Sequence, residues 1–264
     1  MGVAAPETGL RNNSASLRRA LSILLRIGED SPDGRGHTLA GLAGDLDLSK
    51  STLLRLLAPL CEARLVEQVP ETGRYRLGWR TAQLGSAYLE QADLPGIARD
   101  VLRGLSEQTR ETVHLVLADL PDVVYVGKVD SPQPVRMFSR IGTRQPAYCT
   151  AVGKAILAHA SDSAVQDVID AGLPARTPRT HTSAAALRAD LTAIRARGYA
   201  VDDVENEPDI RCVAAPIFDH DGAVTSAVSV SAPASRIGPG QVPGLGALVI
   251  AAADEISRRR GTRR

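Results

Sequence analysis

A chain of 264 residues, 44% of them hydrophobic, has material for two compact domains with a core each. Its 31 lysines and arginines nearly balance 30 aspartates and glutamates, and a net charge of +1 excludes a generic polyanion binder, so any affinity for nucleic acid must come from a local patch. Cys61, Cys149 and Cys212 are far apart and form no CxxC pair, which fits a reducing cytoplasm better than a disulfide framework, and no window approaches a signal peptide or a membrane span.

Residues 1–15 are expected to form a flexible tail. Leu17, Leu21, Leu24 and Leu25 mark a first helix that ends near Gly28, and the turn-rich EDSPDGRGH follows. The stretch from Thr38 to Val66, TLAGLAGDLDLSKSTLLRLLAPLCEARLV, then reads as a helix-turn-helix leading into a wing. Leu39, Leu42 and Ala43 share one helical face, Leu46 to Leu48 make a short connection, and Ser49 is a good N-cap for a second helix. Leu53, Leu56, Leu57 and Leu60 give that second helix its buried stripe.

The outer face of its first turns is left to Lys50, Ser51, Thr52 and Arg55, residue types that reach phosphates or grip a guanine edge from the major groove. Thr38 and Ser49, at the starts of the two helices, join this candidate DNA contact set. LVEQ, PETGR and YRLG read as strand, turn and strand, with Arg74 and Arg76 placed to meet flanking phosphates or the minor groove. Residues 16–80 thus form a winged helix-turn-helix domain, and residues 81–94 a linker helix stiffer than a glycine-rich tether.

From Thr112 the period changes to that of strands: VHLVLA, VVYVGKV and VRMFSR, then a helix from Thr150 to His159. Leu187, Leu191 and Ile194 define another helix stopped at Gly198. YAVDD, RCVAAPIF and AVTSAVSVSA supply further strands, and a last helix runs from about Gln241 to Arg258. The expected class is α+β, with an antiparallel sheet carrying helices on its faces over residues 95–258, followed by a short basic tail, 259–264.

Two features of this second domain point to a small-molecule pocket. Thr150 is the expected N-cap of a helix beginning with Ala151, Val152 and Gly153, whose small side chains would let a ligand approach free backbone N–H groups. Strand alternation puts Ser229 and Ser231 on one face and Val228 and Val230 on the other. With Asp202 and Cys212 on neighbouring strands, these serines would form a small polar basin. Gly153-Lys154 is not a phosphate loop, because Tyr148 and Ala155 stand where that motif requires a glycine and a hydroxyl.

The motifs SRIGTRQPAYCTAVGKAILA, GYAVDDVENEPDIRCVAAPIFD and GAVTSAVSVSAP, with the helix-turn-helix before them, resemble the IclR family of bacterial transcriptional regulators over residues 16–258. The resemblance implies a GAF-like effector domain that binds a small organic or aromatic acid, and a dimer or tetramer acting on a palindromic double-stranded operator. The five histidines are scattered without ligand spacing, so no metal site is expected, and no cofactor is expected either. The resemblance carries effector contacts onto the backbone of Ala151 and Val152 and onto Asp202, Cys212, Ser229 and Ser231. Tyr148 stands where a histidine is common, and Pro208-Asp209 replaces a segment that usually includes a glycine. A second acid nearby would disfavour an anionic ligand unless Arg211 or Arg140 offsets it.

Two other classes fit parts of the chain less well. An enzyme with Cys212 as nucleophile would need His114, His181 or His220 as base, and no local signature supplies the base or an oxyanion site. A scaffold using the winged domain only for protein contacts would show no salt-dependent DNA binding.

Overall fold

The computed structural model describes residues 15–29, 35–91, 93–135 and 139–262, and the chain divides into two units, up to Tyr88 and from Leu89 onward. The expected tail lies almost wholly outside the described residues, as do 136–138 of the expected VRMFSR strand; the flanking Val135, Ser139 and Arg140 are not in a strand.

The first unit holds α1 (Ala15–Gly28), α2 (Leu39–Asp45), α3 (Lys50–Glu62), a hairpin of β1 (Val66–Gln68) and β2 (Tyr75–Leu77), and α4 (Trp79–Gln91), whose residues fall on both sides of the division. Thr38 and Ser49 cap α2 and α3, accepting hydrogen bonds from the amides of Gly41 and Thr52, each cap being worth about 0.5–2 kcal/mol. Between the helices Asp47 takes a φ of +51°, a conformation that aspartate tolerates better than most residues. The hairpin pairs Val66 with Leu77 and Gln68 with Tyr75, and His37 bridges to Tyr75 from the segment before α2.

Ile23 and Ile27 of α1 pack on Leu42, Leu53, Leu56, Leu57, Leu60, Val66 and Tyr75. The helix marked by its leucines therefore buries its isoleucines. Leu17, Leu21 and Leu25 remain 47%, 49% and 72% exposed and form an outward stripe at four-residue spacing.

The second unit contains α5 (Asp93–Thr109), β3 (Thr112–Asp119), β4 (Asp122–Val129), β5 (Arg144–Pro146), α6 (Ala151–Leu157), α7 (Asp162–Asp170), α8 (Ala184–Arg197), β6 (Ala200–Asp203), β7 (Ile210–Phe218), β8 (Val224–Pro233) and α9 (Val242–Arg259). The sheet is antiparallel in the order β5-β4-β3-β8-β7-β6. Alternation along the strands divides the side chains between two cores. Val213, Ala215, Val228 and Val230 meet α5 and α9, whereas Cys212, Ala214 and Ala227 meet α6, α7 and α8. Each fully buried Leu, Ile or Val contributes about 1.5–3 kcal/mol, so this two-sided burial accounts for the sheet's place at the centre of the unit.

Gly198 ends α8 with a φ of +83°, as its position in the sequence predicts. The freedom of Gly153 is used differently from the expectation. A Cβ there would lie 2.3 Å from the Cα and carbonyl oxygen of Ala147, so the missing side chain admits the chain's own backbone and not a ligand. Gly153→Ala should destabilise the second unit by about 2 kcal/mol or more. Gly104→Ala, inside α5 with nothing near the added methyl, should gain about 0.5–1 kcal/mol. Urea denaturation followed by circular dichroism compares the two, and equal effects would remove the packing role given to Gly153.

Candidate functional site

In the first unit Lys50, Ser51 and Arg55 are exposed at the start of α3, with Thr52 half-buried beside them. Lys50 and Arg55 have no ion-pair partner among the described residues, so both charges are available to an incoming polyanion. The hydroxyl of Ser49 serves the helix, capping α3 and donating to Thr52 Oγ1 at 2.9 Å, and that of Thr38 is occupied by its own cap. Leu54, 47% exposed, shares this outer surface, and the sequence reading passed it over.

The wing arginines are positioned less freely than expected. Arg74 Nη1 donates to the Gly36 carbonyl at 2.8 Å, tying the wing to the segment before α2, and Arg76 pairs with Glu67 across the hairpin at 2.5 Å. Arg76 remains exposed and Arg74 half-buried.

In the second unit the sheet register assembles the expected basin. Asp202 on β6 lies opposite Cys212 on β7, Cys212 opposite Ser231 on β8, and Ser229 opposite both Ala214 and His114. These side chains share the face covered by α6, and all six expected residues, Ala151, Val152, Asp202, Cys212, Ser229 and Ser231, line one cavity. Tyr125, Thr150, Asn206 and Ile210 complete it. Its volume is about 10 Å³, room for about one water molecule, whereas sites for small organic ligands span roughly 300–1,000 Å³. A ligand larger than water must therefore displace α6 or the segment that carries Asn206 and Ile210.

Burial sets the electrostatics of the basin. Desolvation raises the Asp202 carboxyl to about 7, against the pull of the Glu205 amide, which donates to its Oδ1 at 2.7 Å. The Cys212 thiol is pushed well above its ordinary value, first by burial and then by the negative charge of Asp202. His114 lies beneath the serines, with Nδ1 3.3 Å from Ser231 Oγ and Nε2 2.7 Å from Ser139 Oγ, and its ring is 4.7 Å from that of Tyr125. Burial, reinforced by the nearby Lys128 charge, lowers its pKa to about 3, so it serves the serine network as a neutral ring.

The features that depart from the family pattern lie around this basin. Tyr148 donates to the Pro174 carbonyl at 2.6 Å and lines a separate cavity of about 310 Å³ with Pro121, Pro146 and Arg176. Asp209 takes a φ of +62°, the left-handed conformation that favours the glycine usual in this segment. Arg211 does not offset Asp202: its guanidinium is committed to Asp203 and to the carbonyls of Ala234 and Ile237. Arg140 is exposed.

A capped helix pair with a two-stranded wing, joined in one chain to a sheet domain with a buried polar basin, defines a DNA-binding regulator with a ligand-sensing domain. The model of the bacterial transcriptional regulator IclR C-terminal domain matches residues 86–258, and that of the IclR helix-turn-helix domain matches residues 16–70. The chain belongs to the IclR family. It is 35% identical over 248 residues to the HTH-type transcriptional regulator KdgR of Escherichia coli, covering 94% of this chain and 93% of that protein. It is 36% identical over 256 residues to the transcriptional repressor IclR of the same organism, covering 96% and 91%. The crystal structure of Thermotoga maritima IclR superposes with a TM-score of 0.74 at 34% identity, covering 93% of this chain and 98% of that one.

The depressed His114 pKa has a consequence for stability. The unfolded chain takes up this proton near the ordinary 6.5 and the folded chain only near 3, so the stabilisation is complete above about 6.5 and is lost as pH falls toward 3. Unfolding free energy should therefore drop more steeply between pH 7 and pH 4 in the wild type than in His114→Gln. Parallel slopes in chemical denaturation would show that His114 does not carry the effect.

Proposed function

We propose that the protein acts as a homodimer or homotetramer on a palindromic double-stranded operator of a metabolic or catabolic operon in the cytoplasm, and that a small organic or aromatic acid in the basin controls its occupancy. The observation that carries the effector assignment is the convergence of Asp202, Cys212, Ser229 and Ser231 with Ala151 and Val152 around one enclosed cavity. A carboxyl group suits that lining. Asp202, held near neutrality by burial, can share a proton or a hydrogen bond with an acid, and the two serine hydroxyls can orient it.

Lys50, Ser51, Thr52 and Arg55 are assigned to the operator's major groove, Arg55 by bidentate contact with a base edge. Thr38 and Ser49 act there mainly by fixing the helix starts, and Arg74 and Arg76 by steadying the wing near the phosphates. The exposed leucine stripe of α1 supports association of chains, since a monomer would leave it in water. No helix among the described residues is long and apolar enough to cross a membrane. The surroundings of Cys212 favour ligand contact over nucleophilic catalysis: burial keeps the thiol protonated, and His114 is engaged by Ser231 and Ser139. No cofactor enters this reading.

Genomic fragments retained by the purified protein should share a palindrome. Arg55→Ala should weaken binding to it by about fivefold to a hundredfold, a loss of about 1–3 kcal/mol, with circular dichroism unchanged. Undiminished affinity would refute the recognition-helix assignment. Ser231→Leu, which fills the basin, should keep operator binding but lose the response to a panel of keto and aromatic acids in a gel-shift titration. A retained response would place the effector elsewhere.

A further inference from the structure

The five histidines are scattered along the chain, a pattern that predicts no metal site. The fold nevertheless brings His181, Asp190 and Glu205 together, with one nitrogen and two carboxylate oxygens all within 4.8 Å of one another. Glu205 is buried, and its Oε1 accepts from Lys154 Nζ at 2.5 Å. Its Oε2 is buried with no hydrogen-bond partner among the described residues. Leaving a carboxylate oxygen so placed without a donor or cation is costly. His181 Nε2 lies 3.9 Å from it and 3.8 Å from Asp190 Oδ2.

We infer that His181, Asp190 and Glu205 form a binding site for a divalent transition cation of the zinc class. One imidazole and two carboxylates suit such an ion and leave a coordination position open toward the adjoining cavity of about 400 Å³. Ligand atoms around a tetrahedral zinc, each about 2.0–2.2 Å from the metal, sit about 3.3 Å apart. The two distances from His181 must therefore close by roughly half an ångström, which a turn of its half-buried ring allows, and the two carboxylate oxygens, within 4.8 Å of each other, must also draw together around the ion.

The surrounding charge permits a cation. Asp190 and Glu205 bring two negative charges against the single charge of Lys154. Lys154 bonds Oε1 of Glu205 and, at 2.7 Å, Oδ2 of Asp190, so Oε2 of Glu205 is left to the metal while Asp190 Oδ2 would be shared between the ammonium and the metal. Arg197 reaches only the other oxygen of Asp190, at 3.5 Å, and Arg179 and Arg211 are engaged by Asp203. The site adjoins the basin through backbone, because the Glu205 amide donates to Asp202.

The test is titration of the full chain, stripped with chelator, with zinc ion by calorimetry, supported by visible spectroscopy with cobalt(II). Wild type should bind one ion per chain, and Cys61→Ser should bind it equally. His181→Ala and His181→Asn, checked for native circular dichroism, should bind at least about tenfold more weakly. Absence of saturable binding to the wild type, unchanged affinity in both His181 variants, or loss of binding in Cys61→Ser would each overturn the assignment.

Discussion

The buried ammonium of Lys154 is the constraint on which the effector domain's geometry depends. It sits on α6 with no exposed surface and is held by Asp190 of α8 and by Glu205, just beyond β6. An ammonium so deep is tolerated only with partners. Removing the ammonium would leave the buried Glu205 carboxylate uncompensated, at a cost of about 3–5 kcal/mol. The same contacts fix where α6 lies over the sheet and where the chain turns after β6. Both positions define the basin: the first brings Ala151 and Val152 over the strands, and the second sets the amides of Glu205 and Asn206 on Asp202.

Close packing around that ion cluster explains why the basin is small. Gly153 is pressed onto Ala147, and Thr150 both caps α6 and donates to the Pro146 carbonyl at 2.8 Å. The start of α6 is therefore fastened to the segment that precedes it. The wall from Asn206 to Ile210 carries a left-handed Asp209 and is tied through Asn206 to Asp202, Arg176, Cys149 and Gln145. Opening there costs packing that a ligand must repay through contacts made only in the open form.

What was legible in the sequence follows from how local each signal is. Ser49, Thr150 and Gly198 announce helix ends through bonds within four residues, and they cap or stop the helices where the sequence places them. The alternation of Ser229 and Ser231 with Val228 and Val230 is likewise local, and the two sets face different cores. Their meeting with Asp202 and Cys212 required a strand order that no single segment encodes; only the family motifs linked those positions beforehand. The leucines of α1 mark the helix that forms, but apolar periodicity shows that a face exists and not which apolar residues point inward. The tether from Arg74 to Gly36 and the cluster of Lys154, Asp190 and Glu205 span tens of residues and left no pattern to read.

The lining of the basin also governs which molecules it turns away. The hydroxyls of Tyr125, Thr150, Ser229 and Ser231, a carboxyl, a thiol and an amide line a space of about 10 Å³. A guest with matching donors and acceptors replaces their bonds, whereas an apolar molecule of the same shape strands several of them. An extra methylene in a pocket changes affinity by only about 1–3 kcal/mol, but a hydrogen-bonding site can discriminate 10⁴-fold or more against an analogue that lacks the polar group. Selectivity here is thus built on the penalty for silence: the site is more forgiving of a slightly larger polar molecule than of one that leaves its serines unanswered.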